Sequence, residues 1–406
     1  MARKAKEAAA VTSFDDFDEM VDNIISSTQA SYDLSNSEDI EWVSSGNIAV
    51  NIALSGHPSY GLPFGRIINF EGESDTGKSL LAATLMREAQ TKYTSDFRGL
   101  YIDTERGIDL ARMTQMGMFV KRKPKNPNNP DPSKNEDTTG DPRAGTFRPI
   151  QTTNLTELCE KILPPFFNAA KANPNMRFIL CVDSVSMLVT DHERTADFQT
   201  RDMARAQELR KFMRLINDAF CPNLMIFLIH HQSDVIRTNM YEKLNDNRDS
   251  KKTISGGKAM KYVPDVRIEV AYGKQETRGN GDKKQVVGQT CRVHVKKTRL
   301  YRPMITAEPV IDHSCGFTRL GGLFDQLLQL NIVVPNGKMF TCPAITGDDK
   351  MYRDNMADFL EREENVTRVV DLIVENLEMA AFDGGKNKDE EEKPSDLNDL
   401  DEIMNE

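Results

Sequence analysis

The sequence is poorest in the features that mark membrane-spanning, secreted or zinc-bound proteins. No apolar run reaches the ~18 residues that a membrane span needs. The opening MARKAKEAAAVTSFDD carries charge with no apolar core behind it, which is not how a secretory signal reads. The six cysteines (Cys159, Cys181, Cys221, Cys291, Cys315, Cys342) are scattered and form no CxxC pair. A structural zinc site or disulfide framework is therefore not expected, and a reducing cytoplasm fits. Cys181, inside the apolar run FILCV, reads as a small buried hydrophobe. Positive charge is also short: 52 Lys and Arg face 62 Asp and Glu, for a net −10. That total would disfavour a nucleic-acid partner if it were spread evenly, and it is not. Between Asp383 and Glu406 ten acids stand against three lysines, so this segment holds −7 and the rest of the chain only −3. Lys251-Lys252 and Lys296-Lys297 add local basic surface, and phosphate affinity follows local potential.

What is present is a chain of 406 residues, enough for one large core with appendages. Residues 1–40 read as an N-terminal arm, in which Phe14, Phe17, Val21, Ile24 and Ile25 fall at helical spacing. Strands are expected at Arg66–Phe70, Leu100–Asp103, Phe178–Asp183, Leu224–Ile229, Val266–Ala271 and Cys291–Val295. Several are near-continuous apolar runs, the mark of strands covered on both faces. Helical periodicity fills the intervals, clearest at Ser79–Thr91, Leu155–Ala172 and Met203–Phe220. The alternation predicts an α/β core with a largely parallel, twisted sheet over 41–310. Residues 121–148, rich in Pro, Asn and charge, read as a mobile surface insertion. A small C-terminal α/β unit is expected over 311–382, and a disordered acidic tail over 383–406.

The chemistry is concentrated in Gly72-Glu73-Ser74-Asp75-Thr76-Gly77-Lys78-Ser79, which matches GxxxxGK[ST]. An apolar strand, RIINFEG, precedes it and a helical segment beginning Ser79-Leu80 follows, the arrangement the motif needs. Gly72 and Gly77 let backbone N–H groups turn toward phosphates, and the helix N-terminus adds positive potential. Lys78 neutralises the β- and γ-phosphates of ATP, and the Ser79 hydroxyl ligates Mg²⁺. A carboxylate at the end of a neighbouring buried strand completes the metal site, and FILCVDS supplies Asp183. Hydrolysis also needs a group to orient or deprotonate water. LYIDTERGID offers Asp103 and Glu105, and Glu105 is preferred because it lies just past the strand; Asp103 can instead be a structural partner for a backbone or a lysine.

These pieces, in this order, resemble the RecA recombinases, with bacteriophage UvsX-type proteins as the nearest subfamily. NIALSGHPSYGLPFGRIINFEGESDTGKS is similar to the family's entry into the phosphate loop, and YIDTERGID to the strand carrying its catalytic glutamate. SGGKAMKYVPDVRIEV resembles the Gly-Gly turn closing the second DNA-binding loop, and VVGQTCRVHVKKTRLYRP the strand whose basic residues reach a neighbour's ATP. The phage likeness rests on DLARMTQMGM, GGLFDQLLQLNIVV and DLNDLDEIMNE.

The resemblance implies a RecA-like P-loop ATPase that uses ATP and Mg²⁺. It assigns Lys297 and Arg299 to catalysis across a protomer interface. The nucleotide set is completed by Asp109 and Arg112, the latter standing where bacterial relatives place a tyrosine on the adenine. His231 or Gln232 becomes the γ-phosphate sensor, while His230, ending an apolar strand, reads as a satisfied core residue. The first DNA loop is expected over Asp191–Arg205, with Arg194, Arg201 and Arg205. The second is expected over Ser233–Gly257, with Arg237, Tyr241, Arg248, Lys251, Lys252, Ser255, Gly256 and Gly257, and Lys258 just beyond it. Basic groups around a single aromatic suit a stretched single strand. The implied partners are single-stranded DNA, homologous duplex DNA, further copies of the chain in a helical filament, a single-stranded-DNA-binding protein and a recombination mediator. The compartment is the cytoplasm, the host's if phage-encoded. Two other readings use the same core: a hexameric helicase, disfavoured by an N-terminal arm too short for a collar, and a non-hydrolysing DNA-coating filament, disfavoured by Glu105.

Overall fold

The computed structural model describes residues 40–120, 141–191, 193, 201–234, 252–254, 259–278, 285–300, 306–312 and 316–386. From Trp42 onward these belong to one compact unit, Trp42–Glu406. The amphipathic segment at 13–27 and the tail after 386 lie outside the described residues.

Strands run in chain order as β1 (Trp42–Val43), β2 (Leu62–Pro63), β3 (Arg66–Gly72), β4 (Phe97–Asp103), β5 (Phe147–Gln151), β6 (Arg177–Asp183) and β7 (Leu224–Asp234). They continue as β8 (Lys252–Ile254), β9 (Val266–Arg278), β10 (Gln285–Lys297), β11 (Thr306–Ala307), β12 (Val310–Asp312) and β13 (Gly316–Phe317). The main sheet has the order β13-β12-β10-β9-β3-β7-β6-β4-β5. From β9 to β5 every neighbouring pair is parallel, whereas β10, β12 and β13 are added antiparallel. The result is the α/β core with a largely parallel sheet that the apolar runs predict.

Period-2 alternation sorts the strand residues onto two faces. Ile68 and Phe70 of β3, Met225, Phe227 and Ile229 of β7, and Val266, Ile268 and Val270 of β9 share one core with helix Lys78–Tyr93. Ile67, Ile226 and Leu228 face the other way, into a core built on helices Leu163–Ala172 and Arg201–Asp218. Burying each large apolar side chain contributes about 1.5–3 kcal/mol, so both faces hold the sheet in place. A third cluster joins Leu323, Phe324, Leu327, Met356, Leu360 and Val369 to Ile48 and Ile52 of helix Ile48–Ser55. It contains the C-terminal helices Leu323–Gln329, Arg353–Leu360 and Glu363–Lys386.

Four expectations differ in detail. The helix expected over Leu155–Ala172 is interrupted by a π-helical turn at Leu158–Ile162. The insertion expected to end at 148 overlaps β5, a strand that FRPIQ conceals because Pro149 and Arg148 break its apolar pattern; β5 lies at the sheet's end, where a proline costs least. Residues 141–146 form a turn closed by the Arg143–Asp141 pair, which holds the Asp141 carboxyl down at about 2. The expected start of the small unit at 311 falls inside β12, and the last helix runs to Lys386, past the expected start of the tail.

Candidate active site

The C-terminal ends of β3, β4, β6 and β7 lie side by side, and an open cleft of about 730 Å³ sits over them. In an open parallel sheet this is where ligands collect. β3 ends at Gly72, and the phosphate loop crosses to helix Lys78–Tyr93 with Asp75 at φ 59° and Gly77 at φ 100°. Gly72 has no room for a side chain, since a Cβ would stand 2.1 Å from the Val270 carbonyl oxygen. The Glu73 carbonyl accepts from the Thr76 hydroxyl at 3.0 Å and from the Lys78 ammonium. Burial lowers the Lys78 pKa, against the raising influence of Asp183, Glu105, Asp75 and Glu73. Ser74, Asp75, Gly77, Lys78, Ser79 and Leu80 all line the cleft.

The acidic residues follow from parity. Tyr101 and Cys181 point into the core beneath the phosphate-loop helix, so Asp103 and Asp183, two residues on, emerge on that face. Asp183 accepts from the Tyr101 hydroxyl at 2.5 Å and from the Ser79 hydroxyl; burial, only partly offset by these bonds, raises its pKa. Its peptide to Ser184 is cis. Asp103 shapes the turn, accepting from the N–H groups of Glu105 (3.1 Å), Gly107 (3.2 Å) and Ile108 (3.2 Å). That turn presents Glu105, whose Oε1 meets the Ser184 hydroxyl at 2.5 Å and His231 Nε2 at 2.7 Å. Asp109 and Arg112 also line the cleft, Asp109 capping helix Leu110–Gln115 through the Ala111 N–H at 2.8 Å.

His231 and Gln232 part company. His231 continues the parity of Phe227 and Ile229 into the cleft, with Nδ1 3.4 Å from the Ser74 hydroxyl. Gln232 takes the opposite face, donating to Glu71 at 3.4 Å and bonding Glu269. Of the two, His231 lines the cleft and Gln232 does not. His230 is fully buried as expected, but among the described residues neither ring nitrogen has a hydrogen-bond partner, so there it is not the satisfied core residue its position suggests.

Lys297 and Arg299 stand at the other end of the sheet. β10 runs antiparallel to β9 and pairs Lys297 with Arg267, away from the phosphate-loop end. Lys297 donates to the carbonyls of Tyr262 (2.9 Å) and Pro264 (2.6 Å), and Arg299 pairs with Asp265 at 2.9 Å. Neither reaches the cleft of its own chain. Arg205 is engaged rather than free, donating to the Ser186 carbonyl at 2.5 Å and lying 3.7 Å from Glu193. Arg201 opens helix Arg201–Asp218, and Lys252 opens β8. Arg194, Arg237, Tyr241, Arg248, Lys251, Ser255, Gly256, Gly257 and Lys258 lie outside the described residues.

Sequence reasoning misses Tyr101, Ser184 and Tyr272. Tyr272 extends the Val266–Ile268–Val270 parity to the cleft and donates its hydroxyl to the Ser74 carbonyl at 2.6 Å. For the metal, the donors are hard oxygens: the Ser79 hydroxyl beside the Asp183 carboxylate, a set that fits Mg²⁺. Among the described residues no group of three or more His, Cys, Asp or Glu could hold a metal alone. The remaining ligands would come from phosphate and water, as Mg²⁺ prefers.

Comparison with known proteins follows the same outline. The family model described as the RecA N-terminal domain matches residues 27–126 and 172–318. "Protein RecA" of Rickettsia massiliae (strain Mtu5) is 26% identical over 341 residues, covering 83% of this chain and 84% of the relative. "Protein RecA" of Roseiflexus sp. (strain RS-1) is 24% identical over 347 residues, covering 84% and 83%.

Proposed function

Because the chain belongs to the RecA family, we propose that it is a recombinase of DNA recombination and repair, driven by ATP and assembled as a filament on single-stranded DNA. The observation that carries this reading is the split between the two ends of the sheet. Phosphate loop, Asp183, Glu105 and His231 meet at one end, while Lys297 and Arg299 stand at the other, beyond reach of that cleft. A neighbour stacked end to end would bring its Lys297 and Arg299 to the cleft, so that the complete site exists only between protomers.

Within this reading Lys78 neutralises phosphate charge, and Ser79 with Asp183 holds the Mg²⁺, which screens the triphosphate when bound. Glu105, on its turn, orients the attacking water and accepts its proton. His231, touching both Glu105 and the phosphate-loop Ser74, registers whether a γ-phosphate is there. One residue later β7 begins to pair with β8, the base of the expected second DNA loop. Nucleotide state and DNA grip are thereby coupled, each biasing the other. Pairing with homologous duplex, a single-stranded-DNA-binding protein and a mediator belong to the same proposal.

The test is electron microscopy of the full chain with ATP and single-stranded DNA, alongside measured ATP turnover. Helical threads and DNA-stimulated turnover are expected; closed rings would favour a helicase, and threads without turnover a passive coat. Lys78→Ala should lower turnover by about 100-fold or more while far-ultraviolet circular dichroism stays that of the parent.

A further inference from the structure

A loop that cradles phosphates must aim its N–H groups inward, so its carbonyls face outward and each needs a donor. Here two consecutive carbonyls have one. That of Glu73 is served from within the loop, by the Thr76 hydroxyl and the Lys78 ammonium. That of Ser74 is served from outside, by the Tyr272 hydroxyl at 2.6 Å. The two donors for Glu73 differ in permanence, because on the reading above Lys78 is the group that would turn to phosphate. Tyr272 has no such second duty.

The strand that carries Tyr272 braces the loop at a second point. The Val270 carbonyl packs so tightly on Gly72 that no Cβ fits between them. Val270 and Tyr272 are on one face of β9, two residues apart, and touch the loop at Gly72 and Ser74. Ser74 is held from another strand too, its hydroxyl lying 3.4 Å from His231 Nδ1. Tyr272 remains 51% exposed on the cleft wall, so little of the fold depends on it.

We propose that Tyr272 is a positioning residue of the nucleotide site: it fixes the Ser74 carbonyl outward and so keeps the loop's N–H groups aimed at the β- and γ-phosphates. The proposal rests on the reading of the cleft as an ATP site. It makes a demand that a merely structural tyrosine does not: the benefit must scale with the phosphates the loop holds and vanish for a nucleotide without them.

The experiment is Tyr272→Phe in the full-length protein, which removes one oxygen and keeps the ring. Affinities for ATP, ADP and AMP are read by competition against a fluorescent ATP analogue, without DNA. Loss of a single hydrogen bond predicts that ATP and ADP bind about 3- to 10-fold more weakly, and AMP less than about twofold more weakly. Equal losses for all three nucleotides would mean that the hydroxyl acts on the base or on the whole fold, and would overturn the proposal. So would an ATP affinity equal to the parent's. A parent chain that binds no ATP overturns the underlying reading of the cleft and the proposal with it, whereas a parent that binds normally isolates any failure to Tyr272.

Discussion

Near the phosphate-loop end, β3, β7, β9 and the turn after β4 carry polar residues on both faces of the sheet, and the two sets are built to opposite rules. On the cleft face, the Glu105 and His231 side chains are 34% and 29% exposed, and they meet each other at a single contact. Each has one further partner at the cleft, the Ser184 hydroxyl for Glu105 and the Ser74 hydroxyl for His231, yet about a third of each side chain stays open. On the far face, Glu71 is 1% exposed and is gripped by Arg267 through two bonds of 2.6 and 2.9 Å. Gln232 bridges it toward Glu269, which pairs with Lys296 at 2.7 Å. A buried carboxylate must have such partners, since its desolvation is otherwise uncompensated. Consecutive residues of one strand, His231 and Gln232, thus face the cleft and a neighbouring strand respectively. Near a parallel sheet's active end, polarity alone does not identify function; the face does.

The contrast breaks most readily at its cleft side. Glu105→Gln keeps size and polarity but removes the carboxylate proposed as the base, so ATP turnover with single-stranded DNA should fall by about 10²–10⁴-fold. Its unfolding free energy in urea should move by no more than about 0.5 kcal/mol, because the side chain is partly exposed. Loss of stability with the activity would show that the cleft face is cohesive after all. The far side should behave in reverse. Arg267→Ala strands a buried carboxylate and should cost about 3–5 kcal/mol of unfolding free energy in urea. A variant as stable as the parent would mean that Glu71 finds water or takes a proton, and the two faces would differ less than their geometry implies.

Contiguity decides how much of this is legible in the sequence. The phosphate loop, Asp183 and Glu105 each sit at the end of one apolar run, so a local pattern places them. The choice between His231 and Gln232 needs parity, and LMIFLIHHQ is apolar at both parities because β7 is covered on both faces. Tyr272 needs knowledge that β9 lies beside β3, a pairing across almost 200 residues that nothing in VRIEVAYGK announces. Lys297 and Arg299 are reached only through family resemblance. Their own chain shows them tied to Pro264, Tyr262 and Asp265, and a role across an interface cannot be spelled out within one protomer. His230 misleads for a different reason: burial is legible from its apolar neighbours, whereas hydrogen-bond satisfaction is not.

His230 sharpens the comparison at the smallest expected effect. It shares the far face with Glu71 but, among the described residues, has no partner on either ring nitrogen. Burial, reinforced by the charges of Arg267 and His231, pushes its pKa down to about 3. In the unfolded chain a histidine takes up its proton near 6.5. Between those values the unfolded state binds the extra proton and the folded state refuses it, so stability present above about pH 6.5 is lost as the pH falls toward 3. From pH 7 to pH 5 this one ring should account for about 2 kcal/mol of lost stability. His230→Met, similar in bulk and unable to ionise, should lose about that much less over the same interval in urea titrations. Parallel pH dependences in parent and variant would mean that the folded ring accepts a proton as easily as the unfolded one. The far face would then contain a solvent path, and its polar groups would owe their pairing to something other than exclusion of water.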